Sequence, residues 1–246
     1  SGAAAIALGA QQILTGAADA VLAGGSDAPL NATVLAQLHA AGVLGSHENA
    51  ASACRPFDVS RNGLVVGEGA AFLMLESLEH AKQRNARILA RLAGWALASE
   101  AHDRVGMNES GVELAATIRL ALDTAGMLPS EIGCVNAHGT GTRLNDLAEA
   151  RAVASVFGPN GVPCSSTKPV TGHCLGASAA IEAVLSVCAL QQQLVPPSAN
   201  CWQQDAACAV DLVRGQPRVF SHGAVMSNSS GFWGNHASLI FSAQPS

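Results

Sequence analysis

IGCVNAHGTGTRLNDLAEA, residues Ile132–Ala150, passes from a short apolar run into a turn of glycines and threonines and then into a helical pattern. The run IGCVNA reads as a strand buried on both faces, because no regular polar alternation interrupts it. His138 therefore stands just past a strand's carboxyl end, the edge at which α/β folds place their ligand sites. A titratable ring in that position, among flexible backbone and hydroxyls, asks for chemical partners elsewhere in the chain.

A second stretch supplies them. SSTKPVTGHCLGASAAIEAV, Ser165–Val184, also leaves a short strand and passes through Lys168 and His173 into a small-residue helix. Two histidines on two strand-end loops with a lysine nearby form a constellation. Gly139 and Gly141 alternate with Thr140 and Thr142, so backbone can approach a ligand closely while hydroxyls offer bonds to an amide-rich arm; the same threonines could equally bond their own turn. Asp146 and Glu149 share one face of the following helix, where the helix dipole and solubility are the ordinary reasons for acids. In the third glycine loop, SNSSGFWGNHASLIF (Ser227–Phe241), Gly231 and Gly234 flank Phe232 and Trp233, a construction suited to a loop that lies against a ligand and moves. His236 opens the last strand and reads as a packing or capping residue.

Around these stretches, helical and strand-like segments alternate. Ala3–Ala17 has helical spacing and feeds the apolar run DAVLAGGSDAP; a helix is predicted over 32–41, a turn-rich segment at CRPFDVSRNG, a strand over 64–76 and a short polar helix over 77–85. A second block repeats the pattern, with a strand in ILARLAGWALAS, an amphipathic helix ended by Gly126, the strand IGCVNA and its helix, VPCSST, the helix after Gly176, and three strand-like runs around VDLV, HGAVMSNSS and HASLIF. This order predicts an α/β fold with sheets covered on both faces, softly divided near residue 86 into units 1–86 and 87–246.

Composition bounds the function. Of 246 residues 49% are hydrophobic and 13% charged, with a net charge of −5, and the mean hydropathy is +0.27. The chain can bury a large core, and no basic surface advertises nucleic acid or anionic lipid. Apolar runs such as 176–190 are interrupted by Glu182, so a cytoplasmic protein is expected, with neither membrane nor nucleic acid as a partner. The seven cysteines show no C-x-x-C pair, and no metal site or disulfide framework follows from them; Cys134 and Cys188 read as small buried hydrophobes.

Five segments carry a resemblance: DAVLAGGSDA, CRPFDVSRNGLVVGEGAAFLMLE, VNAHGTGTRLNDLAEA, SSTKPVTGHCLGASAAIEAV and SNSSGFWGNHASLIF. In this order they resemble the β-ketoacyl-acyl carrier protein synthases, the elongating condensing enzymes of the thiolase superfamily. The resemblance implies the layered αβαβα thiolase-like fold, here as the end of its first half and the whole second half. It implies a decarboxylating condensation of an acyl thioester with malonyl-acyl carrier protein, in fatty acid or polyketide synthesis, without metal or organic cofactor. Carried over by position, His138 and His173 match the decarboxylating histidines, and Lys168 and Glu149 match the family's lysine and its nearby acid, which steady the loop and the charge state of His173, with Asp146 in support. Thr140 and Thr142 match the threonines that bond pantetheine. The backbone N–H of Ser230 matches an oxyanion-hole donor, and Gly231 and Phe232 belong to the gating loop. Acyl carrier protein and a dimer partner, identical or not, are the implied partners.

Two departures matter. The resemblance places a nucleophilic cysteine two positions before Ser1, so that thiol and the strands before it are expected on preceding polypeptide, leaving open edges on this chain. Cys54 and Cys174 do not stand at the start of a helix facing both histidines. The gating loop also carries Ser230 where the family has phenylalanine, and Trp233 where it has glycine. Three readings stay open: an active condensing enzyme, a non-catalytic chain-length partner of one, and a thiolase acting on coenzyme A esters. Retention of both histidines with Lys168 favours the first, and no late Cys-x-Gly stretch supports the third.

Overall fold

The computed structural model describes residues 1–103, 106–220 and 223–243. In chain order it contains α1 (Gly2–Leu14), β1 (Ala20–Asp27), α2 (Ala32–Ala40), β2 (Gly69–Glu76), α3 (Leu78–Gln83), β3 (Arg91–Ser99), α4 (Val112–Ala125), β4 (Ile132–Asn136), α5 (Arg143–Phe157) and β5 (Pro163–Ser165). Then come α6 (Lys168–Thr171), α7 (Ser178–Gln192), β6 (Leu194–Val195), β7 (Asp211–Leu212), β8 (Arg218–Val219), β9 (Ala224–Gly231) and β10 (Asn235–Ser242).

The central sheet has six strands in the order β3-β10-β9-β4-β5-β7, antiparallel through β3, β10 and β9 and parallel from β9 to β7. Neighbouring residues on its inner strands face opposite cores. Val135, Met226 and Ile240 pack with Leu114, Ile118 and Leu122 of α4 and Val153 of α5, whereas Cys134, Val225 and Leu239 pack with Ile6 of α1 and Ala183 and Val187 of α7. A strand that must satisfy two cores has no polar face, which is why IGCVN is a continuous apolar run. Each fully buried aliphatic contributes about 1.5–3 kcal/mol.

α1 and α7 form the middle layer, since their far sides meet the antiparallel pair β1–β2. The layers run α4/α5, six-stranded sheet, α1/α7, two-stranded sheet. On the last, Val21, Ala23, Leu73 and Leu75 face the helices, while Leu22, Phe72 and Met74 on the other face are more than half exposed. This is the thiolase-like layering expected, with the outer face of the second sheet uncovered.

Several expectations shift. The strand predicted over 64–76 begins only at Gly69, because Val65 and Gly67 spend their backbone groups on His173: the His173 N–H donates to the Val65 carbonyl at 2.7 Å and the Gly67 N–H to the His173 carbonyl at 3.1 Å. The run HGAVMSNSS starts at His222, which lies outside the described residues. Cys188 is exposed rather than buried. Leu175–Gln192 is long and apolar enough, by length and composition alone, to cross a membrane; here it is half buried in the middle layer and carries the paired Glu182.

Candidate active site

The loops after β4 and β5, the amino end of α1 and the β9–β10 turn enclose a cavity of about 740 Å³. His138, His173, Thr140, Thr142, Ser230, Gly231 and Phe232 all line it, together with Ser1 and with Ala3 and Ala4 of α1. The sequence-predicted groups are thus brought to one place from three segments. The imidazoles of His138 and His173 meet edge to face, with ring centroids 5.3 Å apart and an interplanar angle of 85°.

Hydrogen bonds fix which nitrogen of each ring carries its proton. Leu175 N–H donates to His173 Nδ1 at 3.2 Å, and Ser178 Oγ lies 2.9 Å from the same atom. A nitrogen that accepts a backbone N–H has no proton, so His173 is protonated at Nε2. Lys168 does the same for the other ring. Its ammonium Nζ lies 3.2 Å from His138 Nδ1 and also donates to the His138 carbonyl and to Glu182 Oε1. Three donors thus meet three acceptors, and His138 likewise keeps its proton on Nε2. Burial first, and then the Lys168 charge, push the His138 pKa well below its usual value and that of His173 down to about 3. Both rings are neutral N–H donors.

The backbone carrying His138 is held from below by two buried carboxylates. Glu149 Oε1 and Oε2 accept the N–H groups of His138 and Gly139, each at 2.8 Å. Asp146 Oδ1 accepts those of Thr140 at 3.1 Å and Gly141 at 3.2 Å, while its Oδ2 accepts Phe57 N–H at 2.8 Å. Gly139 is required there: its φ is +38°, and a Cβ would come within 2.6 Å of Ser166 Cβ. Thr140 and Thr142 hydroxyls lie 2.9 Å apart. Burial raises the Asp146 pKa and lifts that of Glu149 to about 7, outweighing the backbone bonds that oppose it.

These contacts correct three expectations. Glu149 is not the acid of Lys168, because both its oxygens are taken by loop amides; the partner is Glu182 on α7, itself buried, with its pKa raised by burial against the opposing Lys168 charge. Asp146 serves neither dipole nor solubility, being wholly buried beneath the loop. His236 is more than a packing residue. It lines the cavity and bonds Ser230 Oγ through Nδ1 and Glu100 Oε2 through Nε2, both at 3.0 Å.

The segment 54–63, which carries part of the resemblance, also bears on the site although its sequence suggested no site role. Arg61, buried, places its Nε 3.7 Å from Asp146 and reaches Asp205 at 2.7 Å, while Gly63 N–H donates to the Gly141 carbonyl at 3.0 Å. Its density of charge beside glycine and proline was the available signal. None of the seven cysteines lines the cavity. Burial pushes the Cys54 thiol up to about 12 and raises that of Cys174, so neither is a ready thiolate.

The amino-terminal domain model of β-ketoacyl synthases matches residues 1–81, and the carboxyl-terminal domain model matches 89–202. The chain is 40% identical over 243 residues to 3-oxoacyl-[acyl-carrier-protein] synthase 2 of Mycobacterium tuberculosis (strain ATCC 25618 / H37Rv), covering 98% of this chain and 58% of that protein. It is 43% identical over 239 residues to nodulation protein E of Rhizobium leguminosarum bv. trifolii, covering 96% and 58%. The chain therefore spans somewhat over half the length of these relatives. Among solved structures, a type II polyketide synthase acyl-carrier protein in complex with its ketosynthase bound to the hexaketide superposes with a TM-score of 0.96 at 36% identity, over 99% of this chain and 61% of that one. The ishigamide ketosynthase/chain length factor gives 0.92 at 36%, over 99% and 59%.

Proposed function

The chain belongs to the β-ketoacyl synthase family, and from that premise we propose that it carries the decarboxylating site of a condensing enzyme in fatty acid or polyketide synthesis. Malonyl-acyl carrier protein enters with its pantetheine arm against Thr140 and Thr142. The Nε2–H groups of His138 and His173 donate to the malonyl thioester oxygen, where negative charge grows as carbon dioxide leaves. The enolate carbon then attacks the acyl thioester, expelling its thiol and giving 3-oxoacyl-acyl carrier protein. The backbone N–H of Ser230 stabilises the second oxyanion, and Gly231 and Phe232 form the wall that gates the acyl chain.

One observation carries this reading: two neutral imidazoles from separate loops, each with Nδ1 occupied, meet in one cavity. Lys168 and Glu182 act through them, the ammonium fixing His138 and the carboxylate balancing the ammonium. The acyl-bearing thiol is assigned to polypeptide two positions before Ser1. In support, the amino end of α1 lines the cavity and no cysteine of the chain does. No metal or organic cofactor takes part in this scheme. The partners are acyl carrier protein and a second subunit of the same or a related kind, as in the ketosynthase complexes above, and the setting is cytoplasmic.

The test is release of carbon dioxide from malonyl-acyl carrier protein. His138→Ala and His173→Ala are each expected to lower it on the order of 10²–10³-fold, the cost of one oxyanion donor. Full release from the double variant removes the proposal.

A further inference from the structure

Ser230, His236 and Glu100 form a chain of contacts that the condensation above does not use. Ser230 faces the cavity, whereas His236 and Glu100 have side chains only 1% exposed. Glu100 Oε2 lies 3.0 Å from His236 Nε2, and a carboxylate oxygen accepts there, so the ring proton is on Nε2. The lone pair of Nδ1 then meets the Ser230 hydroxyl at 3.0 Å, with the hydroxyl donating. Glu100 is itself held: its Oε1 accepts Asn108 N–H at 3.1 Å, and its own N–H donates to the Gly234 carbonyl at 2.9 Å. Gly234 allows this approach, since at φ +67° a Cβ would come within 2.4 Å of Glu100 Cγ.

A hydroxyl bonded to an imidazole whose other nitrogen is oriented by a buried acid is the signature of an activated nucleophile. We propose that Ser230, His236 and Glu100 are a serine-nucleophile triad on the cavity wall, which takes an acyl group from a pantetheine thioester and releases it to water as the carboxylic acid. The identity of the substrate rests on the condensing function proposed above; the triad does not. In the first step Ser230 Oγ gives its proton to His236 Nδ1 and bonds the thioester carbonyl carbon; the carbon–sulfur bond breaks, and the leaving sulfur takes the proton. In the second, water gives a proton to Nδ1, its oxygen bonds the same carbon, and Ser230 leaves with the proton restored. The sum is thioester plus water to acid plus thiol.

A fluorophosphonate reagent, which bonds an activated serine with loss of fluoride, tests the triad without any thioester. The purified protein is expected to carry the phosphonyl group on the peptide containing Ser230, to lose it in Ser230→Ala, and to label at least tenfold more slowly in Glu100→Gln and His236→Gln. Thermal melting reports which variants are folded, and Glu100→Gln, which preserves side-chain shape, keeps the test sound if His236→Gln does not fold. Absence of the adduct from folded protein, or equal labelling of Glu100→Gln, overturns the triad. Thiol release from an acyl-pantetheine is expected to fall at least tenfold in Ser230→Ala, and an unchanged rate overturns the hydrolytic step. Carbon dioxide release by the histidine pair is read separately, so each proposal fails on its own measurement.

Discussion

The loop 138–142 and the turn 231–235 wall the same cavity, yet they are secured very differently. In the first, all five backbone N–H groups donate to side-chain oxygens: two to Glu149, two to Asp146 and one to Thr140. In the second, Asn235 Nδ2 reaches the Phe232 carbonyl at 3.0 Å and the Glu100 amide reaches Gly234, while Phe232 and Trp233 are 42% and 65% exposed. In the proposed condensation, a ring presenting one N–H to a developing charge is served by a backbone that cannot rotate, and a wall past which an acyl chain slides is served by the opposite. The carboxylates that stiffen the first loop both come from α5.

The stiff loop depends most on Glu182. Removing this carboxylate leaves the Lys168 ammonium buried without its counter-charge, and breaking such a pair costs about 3–5 kcal/mol. Glu182→Ala is therefore expected to lower stability by that amount in denaturant unfolding, and to lower carbon dioxide release because Lys168 no longer holds His138 Nδ1. Lys168→Met with Glu182→Met removes both charges and is expected to recover most of the stability and none of the release. A double variant as unstable as Glu182→Ala would mean that the pair is held for packing alone.

Glu149 makes the stiff loop's stability depend on pH. Its native pKa of about 7 stands above the ordinary 4.5. Between those values the native state holds a proton the unfolded chain has lost, so this group's contribution is full below about 4.5 and fades as pH rises through about 7. At about 1.36 kcal/mol per pKa unit, the fade amounts to about 3 kcal/mol. Glu149→Gln does not titrate and leaves one of two loop amides facing an amide N–H, a cost of about 1–3 kcal/mol. The stability difference between wild type and Glu149→Gln is expected to shrink from pH 5 to pH 8 in urea titrations. A difference independent of pH would mean that Glu149 is ionised throughout.

Much of this was legible in the chain, and what was not has a common cause. The strands announced themselves because a sheet with two cores leaves a continuous apolar run, as Ile132–Asn136 does. The histidines were legible from strand-end position, and the roles proposed for them come from resemblance. Glu182 was visible only as the charge that interrupts an apolar helix; what it neutralises depends on how α7 turns against α6, which periodicity does not encode. Glu100 and His236 lie 136 residues apart and meet through the β3–β10 pairing, where His236 stands opposite Ala98. A constellation made by strand pairing leaves no spacing in the sequence to find.

Trp233 gives the smallest effect and the cleanest test of the looser turn. Its φ is +69°, in the left-handed region that costs a side-chain-bearing residue roughly 1–2 kcal/mol and glycine almost nothing. Because the indole is mostly exposed, little packing offsets that cost, and the resemblance noted above places glycine at this position. Trp233→Gly is expected to raise stability by about 1 kcal/mol, or about 2–4 °C in melting temperature. Trp233→Ala loses the same ring without relieving the backbone, and is expected to change it little. Equal shifts in the two variants would place the cost in the indole rather than in the dihedral. The turn's looseness would then lie in its exposure, with no strain stored for it to release.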